Sequence, residues 1–510
     1  MRVTFCSSAL ITALLLIGGC ASAPLDYPKE TTYAVQDTSG TRQAGNVARW
    51  LDGNTDVNGF YPLNQGFDAF GARLLLIENA QVSIDLQYFL MKSDNAGYVL
   101  AAKLLEAADR GVRVRVLLDD IFTTVTDEQL GVLDAHPNLE VRIFNPIARK
   151  GVFALNYLGN FSLANRRMHN KALISDNQIA VVGGRNLAVE YYQLEETGEF
   201  MDFDMLSIGP IVRDVSAEFD TYWNHQLAVP LAAMFTHEDA ERLEEMRDSL
   251  QQLMSKAGNS IYAQAVNTEV LNKLQDQSLS PYIAEARLIV DNPQKLLEKV
   301  SDEHKIVVNE VRDAILNAES EVIISTPYFI PRERGIAVLE ELRARGIRVV
   351  IFTNSLSTNN HTAVHSAYSS YREDILKAGV ELWEARADAV KVTSEDGELQ
   401  PGKLTLHTKG MVIDRSKIFV GSLNLDPRSI DINTEMGLLI DSPELSGSLA
   451  EGFLQRLPTI AWRVKLEPDG DLGWHGMVDG EQLVETTEPQ TTSWERFKAW
   501  FLKIAPESQL

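Results

Sequence analysis

His169-Asn-Lys171-Ala-Leu-Ile-Ser-Asp176 and His407-Thr-Lys409-Gly-Met-Val-Ile-Asp414 are two versions of one pattern in this chain of 510 residues. In each version Lys follows His by two positions and Asp follows Lys by five. A stretch of small residues comes next, Gly183-Gly184-Arg185-Asn186 in one version and Gly421-Ser422-Leu423-Asn424 in the other. One His-x-Lys pair is weak evidence of a site, but two copies with the same offsets predict two related halves.

The spacing inside the pattern indicates a strand. Residues two positions apart point to the same face of a strand, so His169 and Lys171 share a face, as do His407 and Lys409. The apolar residues that follow each Lys suit a buried strand. Each Asp suits a turn into the next strand, so Asp176 and Asp414 are interpreted as structural.

A second repeat surrounds the first. A strand-like run, a helical stretch, an Arg-Gly pair and another strand occur twice, at Val82–Leu118 and at Val322–Phe352. Gly111 and Gly346 follow the helical stretches, where a left-handed helix cap is expected. Strand, helix, strand is a βαβ unit. We therefore predict an α/β fold of two pseudo-repeated halves, each a mostly parallel sheet flanked by helices, with the active site at their interface.

The remaining sequence gives approximate boundaries. We predict a first half over residues 55–235, a mostly helical connector over 236–310, a second half over 311–465 and a C-terminal tail over 466–510. The tail contains an amphipathic helix that begins at Ser493 and has five apolar residues on one face: Trp494, Phe497, Trp500, Phe501 and Ile504. Such a helix either rests on lipid or docks on the protein body, and the sequence leaves both open.

The N-terminus resembles a bacterial lipoprotein signal. Residues Ala9–Ile17 are almost entirely apolar but too short to span a bilayer, and Cys20 follows two glycines. This predicts a signal peptide over residues 1–19, lipidation of Cys20 and a polar tether over residues 20–54. A plain secretory peptide is the alternative. Because no Asp follows Cys20, lipoprotein sorting rules favour the outer membrane, so we predict a lipid-anchored envelope protein on the periplasmic side.

The formal net charge of −24 bears on the partners. A protein that binds duplex nucleic acid usually needs a basic footprint to neutralise phosphates. We therefore predict no nucleic-acid partner and expect phospholipid substrates and a membrane surface instead. The sequence does not indicate an oligomeric state.

If the two patterned faces meet, the centre holds two imidazoles, two ammonium groups and two carboxamides, which suits one phosphodiester. The lysines would stabilise charge on the phosphoryl oxygens. One imidazole can attack phosphorus to form a phosphohistidine, and the other can act as general acid and base. Asn186, Asn424 and Ser422 are predicted to bind the phosphate. We predict no metal and no other cofactor, because the lysines supply the positive charge.

This constellation resembles the phospholipase D superfamily from about Tyr61 to Trp462. Further stretches narrow the resemblance to bacterial cardiolipin synthases, in particular the C type: Arg166-Arg-Met-His-Asn-Lys171, Asp202-Phe-Asp-Met-Leu-Ser-Ile-Gly-Pro210, Thr353-Asn-Ser355, Asp426-Pro-Arg-Ser429 and Asn433-Thr-Glu-Met-Gly437. The resemblance implies transfer of a phosphatidyl group to phosphatidylglycerol, which forms cardiolipin. The donor would be phosphatidylethanolamine or a second phosphatidylglycerol.

The resemblance also implies residue roles. An acidic residue downstream of each pattern orients the His through its second nitrogen, and the matching positions are Asp202 and Glu435. The first-half His169 would be the nucleophile and His407 the acid and base.

Three other functions remain open. A hydrolytic phospholipase D shares the first half-reaction, an envelope nuclease is disfavoured by charge, and a non-catalytic lipid-binding lipoprotein is disfavoured by the intact patterns. His361 and His365 have helical metal-ligand spacing but no evident third ligand.

Overall fold

The computed structural model describes residues 23–149, 153–194, 198–235, 240–257, 268–393, 399–478 and 480–510. The interpreted signal peptide and the lipidation of Cys20 lie outside these residues, so both stay predictions.

Residues 23–54 pack on the first half, which differs from the predicted tether. Arg115 is buried and donates a hydrogen bond to the carbonyl of Thr32 (3.0 Å). Helix α1 (Arg42–Trp50) places the side chain of Val47 in the core. The segment is polar in composition because its backbone carbonyls serve buried arginines, and this use leaves no hydrophobic period in the sequence.

The first half alternates strands and helices. Its strands are β1 (Asn58–Leu63), β2 (Ser83–Tyr88), β3 (Arg113–Asp119), β4 (Leu139–Phe144), β5 (Ala172–Ser175), β6 (Ile179–Gly183), β7 (Gly198–Met201), β8 (Asp204–Ile208) and β9 (Ala228–Pro230). Its helices are α2 (Gly66–Asn79), α3 (Asn95–Asp109), α4 (Asp127–Asp134), α5 (Phe153–Gly159), α6 (Phe161–Ala164) and α7 (Ile211–Trp223).

The rest of the chain repeats this plan. Between the halves lie α8 (Ala240–Ala257), α9 (Glu269–Gln275) and β10 (Tyr282–Val290). The strands that follow are β11 (Glu321–Ser325), β12 (Arg348–Thr353), β13 (Glu381–Ala385), β14 (Val390–Thr393), β15 (Leu399–Leu406), β16 (Gly410–Ile413), β17 (Lys417–Gly421), β18 (Met436–Asp441), β19 (Ala461–Leu466), β20 (Leu472–Val478) and β21 (Glu481–Glu485). The helices are α10 (Ile306–Leu316), α11 (Arg332–Ala344), α12 (Thr362–Ser369), α13 (Arg372–Lys377), α14 (Pro427–Asp431), α15 (Pro443–Ile460) and α16 (Ser493–Leu502).

The two βαβ units form as the sequence predicts. Strands β2, β3 and β4 pair in parallel, and so do β11, β12 and β13. Gly111 and Gly346 end the crossover helices with φ of 89° and 81°, the left-handed conformation expected of a helix cap. The α/β class and the repeat of two halves are confirmed.

Antiparallel strands extend each parallel trio, so the sheet as a whole is mixed. Strands β5, β6 and β8 continue from β2, and β16, β17 and β18 continue from β11. The reason is the tight turn inside each pattern. Asp176-Asn177 and Asp414-Arg415 all have positive φ, and a two-residue turn of that kind joins only antiparallel strands.

The halves are joined at the centre of one continuous sheet, which has 18 strands in the described part of the chain. Strand β1 pairs with β8 on one side and with β10 on the other, and β10 pairs with β18. Strand β10 lies in the segment predicted to be mostly helical. The alternation Ala284-Glu285-Ala286-Arg287-Leu288 is a strand period that the helical interpretation overlooked.

A search for membrane-spanning helices in the described ranges found none with both the length and the apolar character that crossing requires.

Candidate active site

Each patterned His is positioned by backbone contacts with the other half. The N–H of His169 donates to the carbonyl of Thr434 (3.0 Å) in the second half. The N–H of His407 donates to the carbonyl of Met201 (2.8 Å) in the first half, where β7 pairs in parallel with β15. The interface of the halves therefore fixes both histidines.

The two carboxylates are exchanged between the halves. Glu435 follows Thr434, and its Oε2 lies 2.8 Å from Nδ1 of His169. Asp202 follows Met201, and its Oδ2 lies 2.6 Å from Nδ1 of His407. A carboxylate on Nδ1 holds the proton there and leaves Nε2 as the nitrogen that can act on a substrate. Each half thus supplies the acid that orients the other half's imidazole.

Two buried ammonium groups lie beside the imidazoles. Nζ of Lys171 donates to the carbonyl of His169 (2.6 Å), and Nζ of Lys409 donates to the carbonyl of His407 (2.5 Å). Burial lowers the pKa of Lys171 to about 7 and that of Lys409 to about 8, although the nearby carboxylates oppose the shift. Both ammonium groups therefore titrate near neutral pH.

The four central groups act on one another across the interface. Burial lowers the pKa of His169 well below its ordinary value, and the charges of Lys171 and Lys409 lower it further. The same causes, burial first, lower the pKa of His407. Burial raises the pKa of Glu435 to about 7. At neutral pH the imidazole of His169 is therefore neutral, which a nucleophile requires.

The two Asn side chains keep unused hydrogen-bonding capacity. Asn186 donates from Nδ2 to the hydroxyl of Tyr191 (2.9 Å). The Oδ1 atoms of Asn186 and Asn424 are buried and find no partner among the described residues. A buried Oδ1 without a partner is costly unless a ligand or water donates to it, and only the Nδ2 groups could donate to a phosphate oxygen. Their role in phosphate binding remains a prediction.

The Ser422 hydroxyl, which the sequence predicts to bind the phosphate, makes hydrogen bonds within its own half, and its role in phosphate binding stays a prediction. Its Oγ donates to Oε2 of Glu435 (2.5 Å) and accepts from the N–H of Met436 (3.0 Å). Gly184 occupies the equivalent position in the first half. A Cβ atom there would lie 2.2 Å from Oδ1 of Asp202. The second half therefore combines Ser422 with the longer Glu435, whereas the first half combines Gly184 with Asp202, which leaves no room for a Cβ atom.

Aromatic rings that the sequence did not single out enclose the histidines. Phe89 packs edge-on against His169 with ring centroids 4.8 Å apart, and Nζ of Lys171 lies 5.3 Å from the Phe89 ring. Tyr191 packs edge-on against His407 (5.0 Å), and Phe200 stacks on it (5.5 Å). An aromatic residue near a strand end looks like core in a sequence, so these contacts gave no separate signal.

Buried ion pairs hold the two carboxylate-bearing segments. Arg185 donates to the carbonyl of Asp202 (2.5 Å) and pairs with Asp204 (3.3 Å). Asp291 accepts from the N–H of Glu435 (3.2 Å) and pairs with Lys295 (2.7 Å). Sequence reasoning left Arg185 without a role and did not identify Asp291, since neither has a counterpart at a matching offset.

The residues interpreted as structural are structural. Oδ1 of Asp176 accepts from the N–H groups of Val82 (2.7 Å) and Ser83 (3.1 Å) at the start of β2. Asp414 accepts equivalent bonds at the start of β11. His365 is buried in an ion-pair network with Glu488 (3.4 Å). Glu488 also pairs with Arg372 (2.6 Å).

Two His-x-Lys patterns at the interface of two α/β halves, each with its His bound to a carboxylate of the other half, define a phospholipase D-like protein. The family described as "Cardiolipin synthase, PLD-like domain" matches residues 74–223 and 311–457. Cardiolipin synthase C of Escherichia coli strain K12 is 34% identical over 450 residues, which cover 88% of this chain and 95% of that protein. The chain belongs to the cardiolipin synthase family of phospholipase D-like phosphatidyltransferases.

More distant relatives agree with this assignment. A cardiolipin synthase of Oceanobacillus iheyensis is 26% identical over 395 residues, which cover 76% of this chain and 66% of that protein. The solved structure of a phosphatidylserine synthase from Haemophilus influenzae Rd KW20 aligns with a TM-score of 0.53 at 15% identity. That alignment covers 82% of this chain and 91% of the solved one, and it supports the fold alone.

Proposed function

We propose that this protein forms cardiolipin by transferring a phosphatidyl group to phosphatidylglycerol through a phosphohistidine at His169. The donor is phosphatidylethanolamine or a second phosphatidylglycerol. The observation that carries the proposal is the exchange of carboxylates between the halves. Glu435 orients His169 and Asp202 orients His407, so both imidazoles are held at the same interface.

In the first step, Nε2 of neutral His169 attacks the donor phosphorus. A P–N bond forms and the P–O bond to the headgroup alcohol breaks. The leaving oxygen takes a proton from the His407–Asp202 pair, which can carry that proton because burial raises the pKa of the Asp202 carboxyl. Lys171 and Lys409 stabilise the charge on the non-bridging oxygens.

In the second step, the terminal glycerol hydroxyl of phosphatidylglycerol attacks the phosphohistidine. The proton of that hydroxyl passes to His407, a new P–O bond forms and the P–N bond breaks. His169 returns to its neutral form, so atoms and protons balance over the cycle. If water takes the place of the glycerol hydroxyl, the same steps give hydrolysis.

A paired-lipid assay tests the reaction. We expect the purified protein to form cardiolipin from phosphatidylglycerol, and to form more when phosphatidylethanolamine is added. Release of phosphatidic acid in place of cardiolipin would identify a hydrolase, and turnover of neither lipid would refute the proposal. The matched control is His225→Asn, a partly buried His whose ring lies against Phe144.

The intermediate can be tested separately. A phosphatidyl adduct at His169 is labile in acid and stable in base, so an alkaline quench followed by mass spectrometry at alkaline pH would locate it. With a phosphatidyl-p-nitrophenol donor, whose leaving group needs no proton, we expect the adduct in the parent protein and in His407→Asn, and we expect none in His169→Asn. An adduct at residue 407 would reverse the assigned roles.

We further propose a lipid anchor at Cys20 on the periplasmic side, at the outer membrane. The residue order Gly18-Gly19-Cys20-Ala21 supports it. Cell fractionation of the parent and of Cys20→Ser tests the anchor. An unchanged distribution of the Ser variant would refute it.

A further inference from the structure

The C-terminal helix α16 carries an exposed aromatic face. Large apolar side chains are rarely so accessible in a contiguous group on a soluble protein. The exposed fractions of the face are 65% for Trp494, 49% for Phe497, 65% for Trp500, 53% for Phe501 and 76% for Ile504. The rings pack on one another in sequence, with centroids 5.5 Å and then 5.9 Å apart. Their spacing of three, four and seven residues places them on one side of the helix.

The opposite side of α16 is the one that docks on the protein. Ala499 is buried where α16 packs on α12. Thr492 and Glu495 form a capping box that fixes the start of the helix. The sequence left two possibilities open for this helix, docking on the protein and contact with lipid. One side of α16 docks on the protein, and the aromatic side is exposed.

The segment after α16 is bound beside the active site. The carbonyl of the last residue, Leu510, accepts a hydrogen bond from the N–H of Arg428 (2.8 Å) in α14. Helix α14 begins three residues after Asn424. Gln509 accepts from Asn165 (2.9 Å), which comes shortly before His169 in the chain. Both halves therefore hold the segment that follows α16, through residues that lie four positions from Asn424 and from His169 in the sequence.

A further exposed aromatic residue lies at the first half-site. Phe122 is 50% exposed and packs on Phe89 with centroids 5.4 Å apart. Phe89 in turn packs on His169. Exposed apolar surface thus leads to the active site from the first half as well.

Basic residues border the aromatic face of α16. Lys498 and Lys503 are exposed on its two flanks. In a chain of net charge −24, local positive charge beside exposed tryptophan matches the headgroup layer of an anionic bilayer. Tryptophan is also the side chain that favours this layer, since its ring is apolar and its N–H is polar. A folded protein partner would have less need of flanking positive charge.

We propose that the aromatic face of α16 docks on the surface of an anionic phospholipid bilayer and holds the two half-sites close to the lipid. The proposal rests on the proposed function, because it gives a phospholipid-consuming site its access to substrate. It needs no covalent anchor, so it makes α16 a second membrane contact in addition to Cys20. In this proposal the aromatic side chains of α16 lie in the headgroup layer of the bilayer and do not enter its core.

Quenching of tryptophan fluorescence by brominated lipid tests the contact directly, because it reports depth at the ring and not overall attachment. Of the seven tryptophans, Trp494 and Trp500 are the exposed ones, while the others are buried or half-buried. The experiment uses the full chain as His169→Asn, so that no lipid is consumed. The vesicles contain phosphatidylglycerol and brominated phosphatidylcholine.

We expect strong quenching in this protein, and its loss in Trp494→Phe/Trp500→Phe, which keeps the apolar face. Trp500→Glu/Phe501→Glu, tested in the same way, should need about tenfold more lipid for the same quenching. The matched control Val484→Glu changes an equally exposed apolar residue of β21 and should behave as the parent. Unchanged quenching in the double Glu variant would overturn the proposal.

Two further readings separate this proposal from others. If Trp500→Glu/Phe501→Glu instead converts a dimer to a monomer in solution and vesicles quench neither form, the face binds a second copy and the proposal fails. In the background with His169 intact, the double Glu variant should still turn over short-chain monomeric phosphatidylglycerol. If the parent is quenched by vesicles but turns over no lipid, the docking surface stands and the proposed function fails.

Discussion

At the scale of residues, the exchanged carboxylates make the two halves of the reaction separable. Glu435 acts through His169, and Asp202 acts through His407. With a phosphatidyl-p-nitrophenol substrate the leaving group needs no proton, so only the nucleophile limits the first step. We expect Glu435→Gln to slow the nitrophenolate burst by about 10³-fold, because an amide can bind the wrong imidazole tautomer. Asp202→Asn should keep the burst and lose the following turnover. The opposite pattern would make His407 the nucleophile.

The lysines predict how the rate depends on pH. An ammonium group is charged below its pKa and neutral above it, so charge on Lys171 is lost as pH rises through about 7 and on Lys409 through about 8. The rate of cardiolipin formation should therefore fall on the alkaline side over this window. Lys171→Arg stays charged throughout. We expect a lower maximum rate in that variant, because the planar group fits differently, but an alkaline limb moved up by about one pH unit. If the alkaline fall in rate occurred at the same pH in Lys171→Arg, a group other than Lys171 would be responsible for it.

At the scale of elements, the small-residue stretches that follow the two patterns differ at one position, Gly184 against Ser422. We expect exchanging these two residues to affect the two halves differently. Gly184→Ser copies the second half into the first, but its Cβ would meet Asp202 at 2.2 Å. Overpacking of this kind costs about 1–3 kcal/mol of unfolding free energy, and a displaced orienting group costs about 10²-fold in rate. Ser422→Gly removes the hydroxyl that donates to the Glu435 carboxylate, a bond worth about 1.5–3 kcal/mol, and that accepts from the N–H of Met436.

Urea denaturation and the paired-lipid assay measure both effects. The matched control is Gly452→Ser in α15, where a Cβ meets nothing within 4 Å. It should leave both the rate and the stability near those of the parent. If Gly184→Ser changed neither the rate nor the stability, Asp202 would be able to move away from the added Cβ atom, and the prediction would be wrong.

The elements also separate what the sequence could predict from what it could not. Strands β5 and β16, which follow the two His-x-Lys pairs, were predictable because residue offset and strand period are local signals. The pairs themselves were predicted to lie in these strands, but they precede them, because their backbone groups bond to the other half. The exchange of Glu435 and Asp202 was not predictable, since 266 positions separate His169 from Glu435 and no local period spans that distance. The engagement of Ser422 with Glu435, 13 positions away, was missed because it depends on how β17 and β18 pair and not on a local period. Strand β10 did carry a local signal, in its alternating residues, but a helix-rich composition on both sides concealed it.

At the scale of the whole molecule, the repeat predicted two halves and one shared site, and the continuous sheet explains how they hold together. Strands β1 and β10 pair where the halves meet, and β7 pairs with β15 at the site itself. Composition misled at this scale over residues 23–54, whose polar backbone groups serve buried arginines. Hydropathy alone does not distinguish a polar segment that satisfies a core from a tether.

This architecture predicts that one chain makes one complete site. His169→Asn and His407→Asn each remove one of the two imidazoles that the β1–β10 junction holds together within a single chain. Mixing the two inactive proteins should restore no cardiolipin formation, because neither chain can lend a half-site without breaking the central sheet. Partial unfolding and joint refolding of the mixture gives the matched control. Activity that returns in the native mixture would mean that halves of different chains pair, and that the site forms between molecules. Activity that returns only after joint refolding would still fit, since exchange then follows opening of the sheet.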